Sequence, residues 1–359
     1  MKQREVRAAL LGATGAVGQR YVNMLSGHPS IRLEVLMGGE SAGKRYGEAA
    51  RWLFPEPMAE EFAKKIVRVA RPESAKGCDV VFSALPSEAA KEIEPGFAEA
   101  GFAVVSEASA HRMDADVPLM IPEVNSEHLS LLETQQRTRG WKGAIVTTPN
   151  CTVTGLAIVM KPLVQEFGAE KAIVTTMQAL SGAGFPGVPS LLIVDNVLPY
   201  IKNEEEKVAK EAKKILGKVK SDGRSMVIEP HEIPMGVTCN RVQVLDGHTE
   251  SLYAEFPRPV DPSEVVRAFE GFRGPPQKLR LPTAPTQPII VRKENDRPQP
   301  RLDRMSGSVP GMSVVVGRVR NGIDDKSLML TLLSHNTIRG AAGTAILTAE
   351  LMRREGYVG

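Results

Sequence analysis

Cysteine is scarce in this chain of 359 residues, with only Cys78, Cys151 and Cys239. Such an odd, widely spaced set without a CxxC pair argues against a disulfide framework and a zinc site, and fits reduced thiols in a cytoplasmic protein. An excess of one charge is lacking too, since 45 Lys plus Arg face 42 Asp plus Glu for a net +3 with the basic residues scattered. Neither a nucleic-acid track nor a polybasic membrane patch follows, which leaves room for a small anionic ligand. No apolar run approaches the roughly 18 residues of a membrane span, and the N-terminus has no signal-peptide layout. Internal repeats and low-complexity tails are missing as well.

What is present suits two intimately packed domains: 42% hydrophobic and 24% charged residues over a length too great for one simple core. Short apolar runs at 6–11, 31–37, 65–70, 79–85, 103–106 and 144–148 alternate with helical spacing at 16–25 and 88–100. That alternation predicts a Rossmann-like, doubly wound parallel sheet over residues 1–150. Past residue 170 strand-like runs dominate (172–179, 238–245, 251–256, 313–319, 328–333). An α+β domain with a mainly antiparallel sheet is expected over 151–335, with the charged helix 203–217 and the Pro-rich stretch 275–300 as insertions. The Ala-rich segment 336–359 is expected to be helical and to pack back on the first domain.

Two segments carry chemistry. Gly12-Ala13-Thr14-Gly15-Ala16-Val17-Gly18 puts a GxxGxxG spacing between a strand and a helix, where glycines let the backbone approach a pyrophosphate and the helix N-terminus favours its charge. About 20 residues on, Glu40 speaks for NAD, whereas Ser41, Lys44 and Arg45 speak for the 2′-phosphate of NADP, which is placed ahead. Cys151 follows a strand and Pro149-Asn150 at the start of a helix. That position is expected to lower the thiol pKa and expose a thiolate near neutral pH. A nucleophilic cysteine beside a nicotinamide suggests attack on a carbonyl followed by hydride transfer, with His248, at a glycine turn, as proton carrier. No metal is expected.

The order Gly12 to Gly18, then Thr148-Pro149-Asn150-Cys151-Thr152, then Gln178-Ala179-Leu180-Ser181-Gly182-Ala183-Gly184, then Arg241 seven residues before His248, resembles the aspartate-semialdehyde dehydrogenases, particularly their archaeal and fungal branch. The likeness runs over essentially the whole chain. It implies NADPH-dependent reductive dephosphorylation of aspartyl-4-phosphate in lysine, threonine and methionine biosynthesis, by a homodimer or homotetramer. By the same resemblance Cys151 is the acylated nucleophile, His248 the general acid/base and Gln178 the group orienting the acyl intermediate. Arg241 matches the grip on the substrate carboxylate, Arg112 and Asn150 the phosphate site, and Glu204 and Lys207 an acid-base pair contacting substrate. Ser83, Leu85, Pro86, Ser181, Gly182 and the segment His335-Asn336-Thr337-Ile338-Arg339-Gly340 match further cofactor contacts, beside Gly12, Thr14, Gly15, Ala16, Val17, Gly18, Ser41 and Lys44. The alternatives are a malonyl-CoA (succinyl-CoA) reductase of the same family, an N-acetyl-glutamyl-phosphate reductase, and a non-catalytic dinucleotide-binding regulator.

Overall fold

The computed structural model describes residues 5–221, 223 and 225–358. Its first sheet is built from β1 (Val6–Leu11), β2 (Ile31–Gly38), β3 (Arg68–Val69), β4 (Val80–Ser83), β5 (Ala103–Ser106) and β6 (Ala144–Thr147). All neighbours are parallel, in the order β3-β2-β1-β4-β5-β6. The largely apolar strands, broken by Arg7 in β1 and by Arg32 and Glu34 in β2, make sense here because a parallel sheet is covered on both faces. In β1, Ala8 and Leu10 join a core with Tyr21, Val22 and Phe82, while Ala9 and Leu11 turn to the other core with Val81 and Phe97. The last helix, Gly343–Arg354, contributes Ile346, Leu347, Leu351 and Met352 to the first of these cores, so the chain end closes the N-terminal half.

The second half continues with β7 (Lys171–Gln178), a small hairpin of β8 (Lys218–Ser221) and β9 (Met226–Glu229), β10 (Met235–Arg241), β11 (His248–Glu255), β12 (Ile289–Val291), β13 (Val314–Asn321) and β14 (Ser327–Ser334). The large sheet runs β10-β7-β11-β14-β13-β12. Three of its pairings are antiparallel, but β10–β7 and β12–β13 are parallel, so the sheet is mixed. The reason for the parallel edge at β10 is a crossover: helix Glu204–Ile215 carries the chain back from the end of β7 to the start of β10. One face is packed by the helices Cys151–Phe167, Glu204–Ile215 and Pro262–Gly271. The other face is open, and Ile173 in the middle of β7 is 50% exposed.

Some boundaries differ from the sequence expectation. The run 65–70 is a strand only at Arg68–Val69, and 238–245 shifts to Met235–Arg241 because beyond Arg241 the chain turns back on Gln178 through a Val242 N–H bond to its carbonyl. The final helix is regular only from Gly343, after a wide turn at Ile338–Ala342. Among the described residues no helix is long and apolar enough to cross a membrane, and no cluster of His, Cys, Asp and Glu could hold a metal ion.

Candidate active site

The centre of the site is a row of side chains across the second sheet. Arg241 of β10 is in register with Gln178 of β7, and His248 of β11 with Ser334 of β14; since Thr249 faces Met177, His248 comes next to Gln178. Alternation then turns all four to the buried face of the sheet. Helix Cys151–Phe167 lies on that face with so little clearance that a methyl group on Gly155 would come 2.7 Å from the Ser334 Cβ. Its first residue therefore meets the row: Cys151 Sγ is 3.1 Å from His248 Nε2.

The hydrogen bonds define the histidine tautomer. His248 Nδ1 accepts the Ala179 N–H at 3.0 Å, so the neutral ring carries its proton on Nε2 and presents a donor to the sulfur. Burial, helped by Arg241 and His335, pulls the His248 pKa down to about 3. The ring is neutral throughout the physiological range. The thiol departs from the sequence expectation: burial, reinforced by Glu204, pushes Cys151 up to about 12, against the opposing pull of Arg112, Arg241 and the Thr152 amide. The helix start does act on the thiol, since the Thr152 N–H, which also donates to the Asn150 Oδ1 cap at 2.9 Å, lowers its pKa, but desolvation by burial outweighs it.

Around the cysteine lies a polar shell. Asn150 donates from Nδ2 to Glu204 at 2.8 Å, and its backbone N–H donates to Glu211 at 2.7 Å. Glu211 also pairs with Arg112 at 3.0 Å, and Arg112 donates to the Glu107 carbonyl while its buried Nε has no partner among the described residues. Arg241 donates to the Ala179 carbonyl at 2.8 Å, and Gln178 to Thr176 at 3.3 Å. Gly182 is pressed onto this row, since a Cβ there would fall 2.7 Å from Arg241 Nη1 and 3.0 Å from His248 Cε1. The Lys207 side chain has no partner among the described residues, and the residue is half-buried.

A dinucleotide would meet the site from the first sheet. Gly12, at φ +71°, turns the chain out of β1, and a Cβ on Gly18 would strike the Gly12 carbonyl at 2.2 Å. Helix Ala16–Leu25 begins at Gly15 with no side-chain cap, so its first amides are left for an anion. The turn stands where strand order reverses between β1 and β4, beside Ser83, Leu85 and Pro86 on one side and the Ser41–Lys44 loop on the other. Ser83 Oγ is buried without a partner among the described residues. These residues fit the diphosphate and ribose of a nicotinamide dinucleotide. From the second half, Asn336 is held by donating to Ser181 Oγ at 2.7 Å and accepting the Gly247 N–H at 2.8 Å, while Thr337 crosses to the first half by taking the Arg20 Nε–H at 3.1 Å.

Comparison with known proteins agrees with this geometry. Residues 7–132 match the family model for the semialdehyde dehydrogenase NAD binding domain, and 160–339 that for the semialdehyde dehydrogenase dimerisation domain. The chain belongs to the semialdehyde dehydrogenase family. It is 51% identical over 347 residues to an aspartate-semialdehyde dehydrogenase of Archaeoglobus fulgidus, covering 96% of this chain and 97% of the relative. A malonyl CoA reductase (NADP) of Metallosphaera sedula is 45% identical, with 99% of both chains covered. Among solved structures, the aspartate semialdehyde dehydrogenase of Candida albicans with NADP superposes with a TM-score of 0.89 at 41% identity, covering 99% of this chain and all of that one.

Within this semialdehyde dehydrogenase, Cys151, His248, Gln178, Arg241, Asn150 and Glu204 share one locus with Arg112. The Arg339 side chain is 0% exposed and ion-paired with Glu123. Glu211 escaped the sequence reading because helix 204–215 reads as a solvated charged face. The available signal was its spacing, seven residues after Glu204 and so on the same side of the helix.

Proposed function

We propose that the chain is an aspartate-semialdehyde dehydrogenase that reduces aspartyl-4-phosphate with NADPH through a thioester on Cys151. Cys151 at 3.1 Å from a donor histidine, inside a shell of Arg112 and Arg241, carries this reading. Cys151 Sγ forms a bond to the acyl carbon while the carbon–oxygen bond to phosphate breaks and the thiol proton leaves on the departing phosphate oxygen, with Arg112 and Asn150 as the phosphate-side groups. Arg241, whose fork suits a planar anion, holds the substrate carboxylate, and Gln178 orients the acyl group. When bound, NADPH supplies the hydride that reduces the thioester. His248 Nε2–H then stabilises the alkoxide and afterwards the thiolate released as the carbon–sulfur bond breaks. Glu204 and Lys207 complete the substrate contacts.

Gly12 to Gly18, Ser83, Leu85, Pro86, Ser181, Gly182, Asn336 and Thr337 form the cofactor cradle, with Ser41 and Lys44 facing the 2′-phosphate. Residues 1–150 with the C-terminal helix serve as the cofactor domain and 151–335 as the catalytic and dimerisation domain. The open sheet face around Ile173, in the half matched by the dimerisation model, supports a homodimer or a homotetramer built from it. A cytoplasmic location accords with three unpaired thiols.

The second reading, malonyl-CoA reduction, is favoured by the Metallosphaera relative. Phosphate- and NADP-dependent oxidation of aspartate semialdehyde, assayed beside malonyl-CoA reduction, separates the two. Activity confined to the CoA thioester would replace the proposal, and cofactor titration should show NADP bound more tightly than NAD.

A further inference from the structure

We infer that Glu123 and Arg339 form a positioning pair that fixes the depth and orientation of Cys151, an inference that rests on Cys151 being the nucleophile. The two side chains are fully sealed, at 0% exposure each, and meet through two parallel bonds: Nη1 to Oε1 at 3.0 Å and Nη2 to Oε2 at 2.6 Å. They join segments 216 residues apart in the chain. Neither contacts the site row, and neither has a part in the chemistry above.

The backbone beside Arg339, however, touches the nucleophile, and the segment of Glu123 is bonded to the strand that leads into it. Gly340, next to Arg339, lies so close to Cys151 that a Cβ on it would be 2.8 Å from the Cys151 Cβ and 2.9 Å from its Cα. The wide turn Ile338–Ala342 is thus the floor on which the first residue of the catalytic helix rests. Glu123 follows the segment that pairs with the end of β6, where Met120 N–H donates to the Thr147 carbonyl, four residues before Cys151. Glu123 is itself fixed: Gln277 donates to its Oε1 at 3.2 Å, and a Cβ on Gly274 would strike its Cα at 2.5 Å. Thr344 Oγ1 in turn donates to the Arg339 carbonyl, tying the turn to the last helix.

A buried ion pair is a poor device for stability, because desolvating both charges offsets most of their attraction. What a two-point fork gives instead is a single allowed geometry. Here that geometry fixes the turn on which Cys151 rests relative to the segment bonded to β6, and so the approach of Sγ to the acyl carbon and to His248. Small misplacements of a reacting atom cost far more in rate than in stability.

The test uses the full-length protein and three variants. Glu123→Gln combined with Arg339→Met removes both charges at similar volume; Arg339→Lys keeps the charge without the fork; Gly340→Ala leaves the pair intact but crowds Cys151. Melting temperature, NADP affinity, the rate of Cys151 alkylation by iodoacetamide, kcat and KM are measured for each. The double variant is expected to fold and bind NADP like the parent, while alkylation and kcat fall by about ten- to hundred-fold at nearly unchanged KM. Arg339→Lys should fall part of the way, and Gly340→Ala should show the same kcat-selected loss. A folded double variant with parental kcat and alkylation rate overturns the inference. Should the double variant not fold, a folded Arg339→Lys with parental alkylation and kcat overturns it equally. Failure of the underlying nucleophile reading has a separate signature, activity persisting in Cys151→Ser.

Discussion

The thiol shows how neighbours override position. A helix start invites a low thiol pKa, and the Thr152 amide does pull that way, yet burial with Glu204 outweighs it and leaves Cys151 at about 12. The ligand-free protein is therefore expected to alkylate with a rate that climbs about tenfold per pH unit from pH 6 to 9, since the thiolate fraction does. A plateau near neutrality would show that the helix terminus prevails over burial. At Arg241 the expectation is selective: Arg241→Leu should cost on the order of 2–5 kcal/mol in kcat/KM on aspartate semialdehyde, by leaving a carboxylate unpaired in a partly dry site. NADP affinity should hold, and the gap between this substrate and an uncharged aldehyde should narrow. Equal losses on both substrates would assign Arg241 to supporting His248, whose neighbour Ala179 it already holds.

Elements place these residues by simple periodicities. Strand alternation gathers Arg241, Gln178 and His248 on one face, and the helix from Cys151 drops its first turn onto them. Asn150 is the joint, capping that helix and holding Glu204. Asn150→Ala should lower stability by about 0.5–2 kcal/mol, the range for a lost helix cap, and depress kcat further by releasing Glu204. Chemical denaturation beside steady-state kinetics reads both; a stability loss with unchanged kcat would confine Asn150 to capping. In the first half, Gly18→Ala should weaken NADP binding with little effect on alkylation of Cys151, because its Cβ would push against the Gly12 carbonyl in the turn.

At the scale of the whole molecule, acid sensitivity follows from buried histidines, His248 and His335 foremost and His128 in the same direction. Burial lowers His248 to about 3 and His335 to about 4, below the unfolded value near 6.5. The unfolded chain thus binds more protons between those limits, and each histidine withdraws stability as pH falls through that window, by up to about 1.4 kcal/mol per pH unit. Glu94, Glu107 and Glu250, raised by burial, act in the opposite sense, but equally in wild type and variant. Denaturation from pH 7 to 4 should accordingly show His335→Asn declining less steeply than wild type, and parallel curves would mean that His335 is not buried neutral.

The sequence by itself determined the parallel first sheet, the glycine turn and the cysteine at a helix start, because these depend on local propensity, period and backbone freedom. It also marked Gln178, Arg241 and His248 as likeness to a family. Only the tertiary structure decided the rest: strand register put those three in one row, a crossover made an edge of the second sheet parallel, and Glu211 became an anchor for Arg112 and Asn150. The raised thiol and the sealed Glu123–Arg339 pair belong there too. Burial and pairing between residues about sixty or more positions apart are properties of packing, and local pattern alone does not select the partners.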